Sequence, residues 1–189
     1  GSHIRGDAAA KLETWVKTGG TLYTCGGGLA RNEANLPLTK LLPGLGLKTR
    51  DPVEHWADVK RYGATKLPPL RPHKQQPPAS KVRLSGKAPF QGSFVPAVGR
   101  EVLQPVDGAE VLAAYADGSA AVVKNAYGKG QAITVGTYAG LEYANDAMQQ
   151  KPYDADKRSY VAAPAAMGKA TPVVDAAVPT VEGVLLKHR

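Results

Sequence analysis

A helix that runs straight into a short apolar strand is the feature that most restricts how this chain can fold. Asp7 is placed as an N-cap, Ala8, Leu12, Trp15 and Val16 share one helical face, and Gly19 is placed to end the helix. Gly20 alone then separates it from a strand at Thr21 to Thr24. A helix directly before a strand belongs to a βαβ unit, whose parallel strands are buried on both faces. Such a unit needs a strand ahead of its helix. The expectation is therefore an α/β domain whose opening strands lie upstream of Ile4, with Gly1-Ser2-His3 reading as the remnant of a cleaved tag.

The strand ends at Cys25, the single cysteine of the chain, and Gly26-Gly27-Gly28 follow it. One cysteine makes neither an internal disulfide nor a multi-cysteine zinc site. A length of 189 residues suits one domain, and 43% hydrophobic against 21% charged residues is enough apolar material for a core. No apolar run approaches the ~20 residues that cross a bilayer, so no membrane partner is expected.

The net charge of +8 is local. Lys40 to Lys87 holds eleven Lys/Arg against Asp51, Glu54 and Asp58, while the remainder balances 13 basic against 13 acidic residues. A basic segment attracts polyanions. With only Trp56 and Tyr62 interspersed, however, it lacks the aromatic alternation of a base-stacking surface, and nucleic acid is not the expected partner. Pro52, Pro68-Pro69, Pro72 and Pro77-Pro78 break this region, which reads as a basic, Pro-rich insertion over about 48–89. Within it Val53 to Tyr62 is expected to be helical and Lys81 to Leu84 extended. Before it, Leu36 to Leu42 is expected to form a short helix with Pro37 in its first turn, closed by Pro43-Gly44.

The clearest β pattern follows. Glu110 to Ala116, Ala120 to Ala126 and Gln131 to Thr137 are three strands joined by Asp117-Gly118 and Gly128-Lys129-Gly130, an antiparallel meander. Leu141 to Gln150 reads as a helix, Lys151 to Arg158 as a charged connection, and 169–189 as a Val/Pro-rich linker opening a following domain.

A cysteine at a strand end before a tight turn is the geometry of a nucleophile elbow, in which backbone N–H groups of the turn stabilise an oxyanion. Small residues are wanted two before and two after the nucleophile; Gly27 meets the second condition and Tyr23 fails the first. The available bases are His55, His73 and His188. The same glycines could cradle a phosphate, yet Arg31 stands where a dinucleotide fingerprint has its third glycine, and no cofactor is expected. Asp51, Glu54, His55 and Asp58 form the nearest approach to a metal cluster but read as a solvated helix surface, as do Glu142 and Asp146, so no metal site is expected.

Two segments carry a resemblance. LETWVKTGGTLYTCGGG, Leu12 to Gly28, is similar to the helix, glycine pair and strand of class I glutamine-amidotransferase-like domains. Ala109 to Tyr143 resembles the last part of the middle, trimerisation-type domain of glycoside hydrolase family 42 β-galactosidases, through Asp117-Gly118-Ser119-Ala120, Gly128-Lys129-Gly130 and Gly136-Thr137-Tyr138. Val181-Glu182-Gly183-Val184-Leu185-Leu186 resembles the start of those proteins' C-terminal β-domain. The resemblance implies a flavodoxin-like three-layer sandwich over 4–168 ending in the meander. It makes Cys25 the positional match of the amidotransferase nucleophile and puts a His-x-Glu pair after the last meander strand. Thr137-Tyr138-Ala139-Gly140-Leu141-Glu142 stands there instead, without histidine.

The resulting expectation is a non-catalytic amidotransferase-like domain of a larger, carbohydrate-active protein, packing against other domains of the parent chain or forming a homo-oligomer. Its catalytic candidate is Cys25, and its candidate binding residues are Gly26, Gly27, Gly28, Arg31 and Tyr138. The alternatives are a cysteine-dependent hydrolase or amidotransferase-like enzyme using Cys25, and a polyanion-binding module using Lys40 to Lys87.

Overall fold

The computed structural model describes residues 2–59, 70–149 and 151–169. Tyr62, His188 and the tail from 170 onward lie outside them. In chain order the elements are α1 (Gly6–Lys17), β1 (Thr21–Cys25), a 3-10 turn (Thr39–Leu41), α2 (Leu42–Leu45), β2 (Leu47–Arg50), β3 (Glu54–His55), β4 (Ala57–Val59), β5 (Leu70–Pro72) and α3 (Ala79–Val82). There follow β6 (Leu84–Gly86), β7 (Gly92–Phe94), β8 (Gly99–Arg100), β9 (Leu103–Pro105), β10 (Glu110–Tyr115), β11 (Ala120–Tyr127), β12 (Gly130–Val135), α4 (Ala139–Met148) and α5 (Ala155–Met167). No helix among the described residues is long and apolar enough to cross a membrane.

The chain is a mixed α/β protein. Its main sheet runs β1-β12-β11-β10-β6-β7, with β9 joined to β11 and β2 joined to β9. The meander stands as expected, β10 and β12 both pairing antiparallel with β11. β1 pairs parallel with β12, Thr21 opposite Gln131 through Cys25 opposite Val135, and among the described residues this is the parallel pair of the sheet. Alternation then sorts side chains to two faces. Tyr23, Cys25, Ile133 and Val135 face the core under α4 and α5 with Phe90, Tyr115 and Tyr160. Leu22, Ala132 and Val123 face α1 and α2 with Ala9, Leu41 and Leu45. Both faces are thus covered by helices, which is why Ala-Ala-Val-Val of β11 and Ala-Ile-Thr-Val of β12 are buried throughout, Thr134 being the one polar residue among them.

Several local expectations are corrected. α1 begins at Gly6, with Asp7 in its first turn paired to Arg5 rather than capping. Pro43 opens α2 instead of closing a helix, and Gly46, at φ +72°, ends it. Residues 54–59 are two short strands, not a helix. Glu54–His55 pairs with Gly99–Arg100, and Ala57–Val59 pairs with Leu70–Pro72. The reason is Trp56, which is buried and gives its backbone N–H to Val98 and its indole N–H to Pro96. Described parts of 48–89 are built into the fold, since β2 and β6 are sheet strands and Val82 and Leu84 are fully buried. Lys81–Val82 ends α3 before the strand Leu84–Gly86. Lys151 to Arg158 leads into α5, whose N-cap Asp154 accepts from the Asp156 and Lys157 amides.

Candidate functional site

The parallel pair delivers Cys25 to the end of β1 beside Val135, and the glycines turn the chain away from the sheet. Gly26 and Gly27 have φ of +25° and +69°, a region that side chains other than glycine occupy with strain. Each of the three amides has an acceptor inside the protein. Gly26 N–H donates to the Val135 carbonyl at 2.9 Å, Gly28 N–H to the Cys25 carbonyl at 2.7 Å, and Gly27 N–H to Glu101 Oε2 at 2.9 Å.

Glu101, which follows β8, is 1% exposed and is bound by the Arg50 guanidinium in a two-point fork, Nε to Oε1 at 2.6 Å and Nη2 to Oε2 at 2.8 Å. Arg50 also donates from Nη1 to the Gly28 carbonyl at 2.7 Å. The turn is therefore tied at both ends, its Gly27 amide to the carboxylate and its Gly28 carbonyl to the guanidinium. This buried pair ties β2, the glycine turn and the segment after β8 into one unit. Sequence reasoning missed it, because Glu101 sits in no motif and Arg50 was one basic residue among eleven.

Cys25 is half-buried and packs on the core under α5. Burial pushes its thiol up; the nearby Glu101 charge adds to the rise, while the Ala139 amide and Arg50 act in the other direction. A nucleophilic cysteine needs the reverse shift. Beside the turn lies a cleft of about 620 Å³ lined by Gly26, Gly27, Arg31, His55, Glu101 and Tyr138 among others, and the thiol is not among its lining groups. Tyr138 lies against Gly26 and meets His55, its hydroxyl 2.9 Å from Nε2 with ring centroids 5.3 Å apart. Burial pushes the Tyr138 phenol up to about 12. Arg31 is exposed at the rim and donates to the Asn35 carbonyl.

Of the candidate residues, then, Gly26, Gly27, Arg31 and Tyr138 share the cleft, Gly28 bonds to Arg50, which also lines it, and Cys25 faces the other side of β1. His55 is brought to Tyr138; His73 is exposed, with its backbone N–H on the Trp56 carbonyl. Among the described residues no group of three or more His, Cys, Asp or Glu is arranged to hold a metal. Basic side chains of the 40–87 region are paired at several points, Lys48 with Asp107 and Lys87 with Glu110 besides Arg50. Glu142 and Asp146, expected on a solvated surface, are 0% and 8% exposed.

No family model matches the chain, and no curated protein matches it. Solved structures do. A β-galactosidase from Bacillus circulans sp. alkalophilus aligns with TM-score 0.59 and 19% identity over 94% of this chain. A cold-adapted β-galactosidase from Rahnella sp. R3 aligns with TM-score 0.59 and 21% identity over 95%. A catalytic mutant of Gan42B, a GH42 β-galactosidase from G. stearothermophilus, aligns with TM-score 0.51 and 22% identity over 79%. At these identities the likeness is one of fold. This chain spans 23%, 23% and 19% of those chains.

Proposed function

We propose that this chain is a non-catalytic domain of the amidotransferase-like type, a flavodoxin-like sandwich in origin, and that it works within a larger carbohydrate-active protein. Its role there is packing, against other domains of the parent chain or between copies of it. The observation that carries this reading is the commitment of all three glycine amides. An oxyanion hole or phosphate cradle needs N–H groups aimed at open space, and the amide best placed for that work already holds a carboxylate. That carboxylate would also repel an incoming anion. The raised Cys25 thiol supports the same conclusion from the side of the nucleophile. The likeness in fold to β-galactosidases several times longer than this chain supports a place within a larger assembly.

The test has two arms. The purified domain, assayed with glutamine and with an activated ester, should show no turnover that Cys25→Ala removes; turnover lost in that variant would overturn the non-catalytic reading. Sedimentation equilibrium, with and without the remainder of the parent polypeptide supplied in trans, should show self-association or capture. A domain that stays monomeric and ignores the remainder would refute the packing role.

A further inference from the structure

β1 is an end strand of the main sheet: it pairs with β12 and, among the described residues, with no strand beyond it. Its register fixes which backbone groups are left over. The Gln131 N–H donates to the Gly20 carbonyl and the Gly26 N–H to the Val135 carbonyl. In phase with them, Leu22 and Thr24 turn their amides to β12, while Thr21 and Tyr23 turn theirs outward. A sheet edge is ordinarily guarded by a lysine, a proline or a bulge. Thr-Leu-Tyr-Thr-Cys has none of these. Its flank is open as well, since 132–135 of β12 are all buried, whereas of β1 only Thr24 is.

This edge is the floor of a groove of about 720 Å³, with Trp15 of α1 on one wall and Val161 and Pro164 of α5 on the other. The Trp15 indole lies across Gly20, where a Cβ would meet its ring at 2.5 Å. Trp15 and Val161 are 50% and 40% exposed, two of the four large apolar side chains that stand in solvent among the described residues. Unpaired amides between apolar walls are what an added strand uses: main-chain bonds hold it, and its alternate side chains meet the two walls.

Where α5 ends indicates the occupant. Gln131 Nε2 donates to the Met167 carbonyl at 2.8 Å and to Thr21 Oγ1 at 3.3 Å, which fastens the last turn of α5 to the head of β1. Gly168 lines the groove there, and Lys169, at φ +58°, turns the chain off the helix. Twenty residues follow, beginning Ala-Thr-Pro-Val-Val-Asp-Ala-Ala-Val-Pro. In them 173–178 is a run with a single charge, bounded by Pro172 and Pro179, and proline is tolerated at the ends of a strand. The four residues 169–172 reach up to about 13 Å from Gly168, and a run of six is long enough to line the five residues of β1.

We propose that 173–178 adds to the open edge of β1 as a parallel strand, its side chains alternating between the Trp15 and Val161 walls. Entering beside Thr21, it runs in the direction of β1. α4 and α5 then form the crossover from β12 to a second parallel strand, the kind of connection that parallel strands require. The inference stands independently of the packing role proposed above.

Amide hydrogen exchange followed by NMR on the full 189-residue chain tests it, beside a variant carrying both Val174→Pro and Asp175→Pro. Two adjacent prolines remove a donor from the ladder in either register. Thr21 and Tyr23 should exchange about tenfold or more slower in the wild type than in the variant, at every protein concentration, while Leu22, Thr24 and β11 exchange equally in both. Equal exchange of Thr21 and Tyr23 in the two chains would overturn the proposal: if fast, the edge is left for a strand from elsewhere, and if slow, another group covers it. Protection that fades on dilution would overturn it as well, since the added strand would then come from a second copy.

Discussion

Glu101 Oε2 accepts a 2.9 Å hydrogen bond from the Gly27 amide, and the same carboxylate is forked by Arg50. Removing the guanidinium strands a charge that is 1% exposed. Arg50→Ala should therefore cost about 3–5 kcal/mol of unfolding free energy. Replacing the pair together, as Arg50→Met with Glu101→Leu, should cost clearly less than the single change, because no charge is left unpaired. Urea titration with an unchanged slope measures both.

Three glycines should rank by what a side chain would meet. Gly118, at φ +86° in the β10–β11 turn, has nothing within 4 Å, so Gly118→Ala should lose only the cost of the left-handed backbone, about 1–2 kcal/mol. Gly26→Ala adds a Cβ 2.9 Å from the Tyr138 ring, which can tilt at the expense of its contact with His55. Gly128→Ala meets the Lys17 carbonyl at 2.5 Å, a backbone atom that cannot yield locally. Thermal unfolding should show the smallest loss for Gly118→Ala and the largest for Gly128→Ala.

How stability depends on pH follows from two carboxyls shifted in opposite directions. Glu142 is raised from 4.5 to about 7, chiefly by burial, so its contribution is complete below 4.5 and is lost as pH rises through about 7. Asp117 is lowered from 3.8 to about 2, its bonds from Ser119 and Arg100 outweighing burial, so its contribution is complete above 3.8 and is lost as pH falls toward about 2. Unfolding free energy should peak near pH 4, decline between about 4.5 and about 7 and level off above that. Glu142→Gln should flatten that decline and leave the loss below pH 3.8 intact.

What could be read from the sequence was whatever local chemistry decides. The α1–β1 junction and the meander are written in apolar period and in turn residues, Asp117-Gly118 and Gly128-Lys129-Gly130, whose glycines at 118 and 128 do take positive φ. What escaped is decided by distant partners. Residues 54–59 carry a passable helical pattern, yet Trp56 is drawn into strand pairing by Val98 and Pro96. The charges at 151–158 look like a solvated link, but Lys157 is buried on Asp146 and α5 begins there despite Pro164 within it. At the glycine turn the sequence shows Cys25 and possible donors; it does not show that Glu101, far along the chain, accepts from one of those donors.

The reactivity of Cys25 bears most directly on whether the glycine turn is a scaffold or a working site. Alkylation by iodoacetamide near neutral pH should run about tenfold or more slower in the folded domain than in the urea-unfolded chain, with the thiol titrating above its ordinary value. A folded thiol that reacts faster than the unfolded one, and titrates below its ordinary value, would contradict the account.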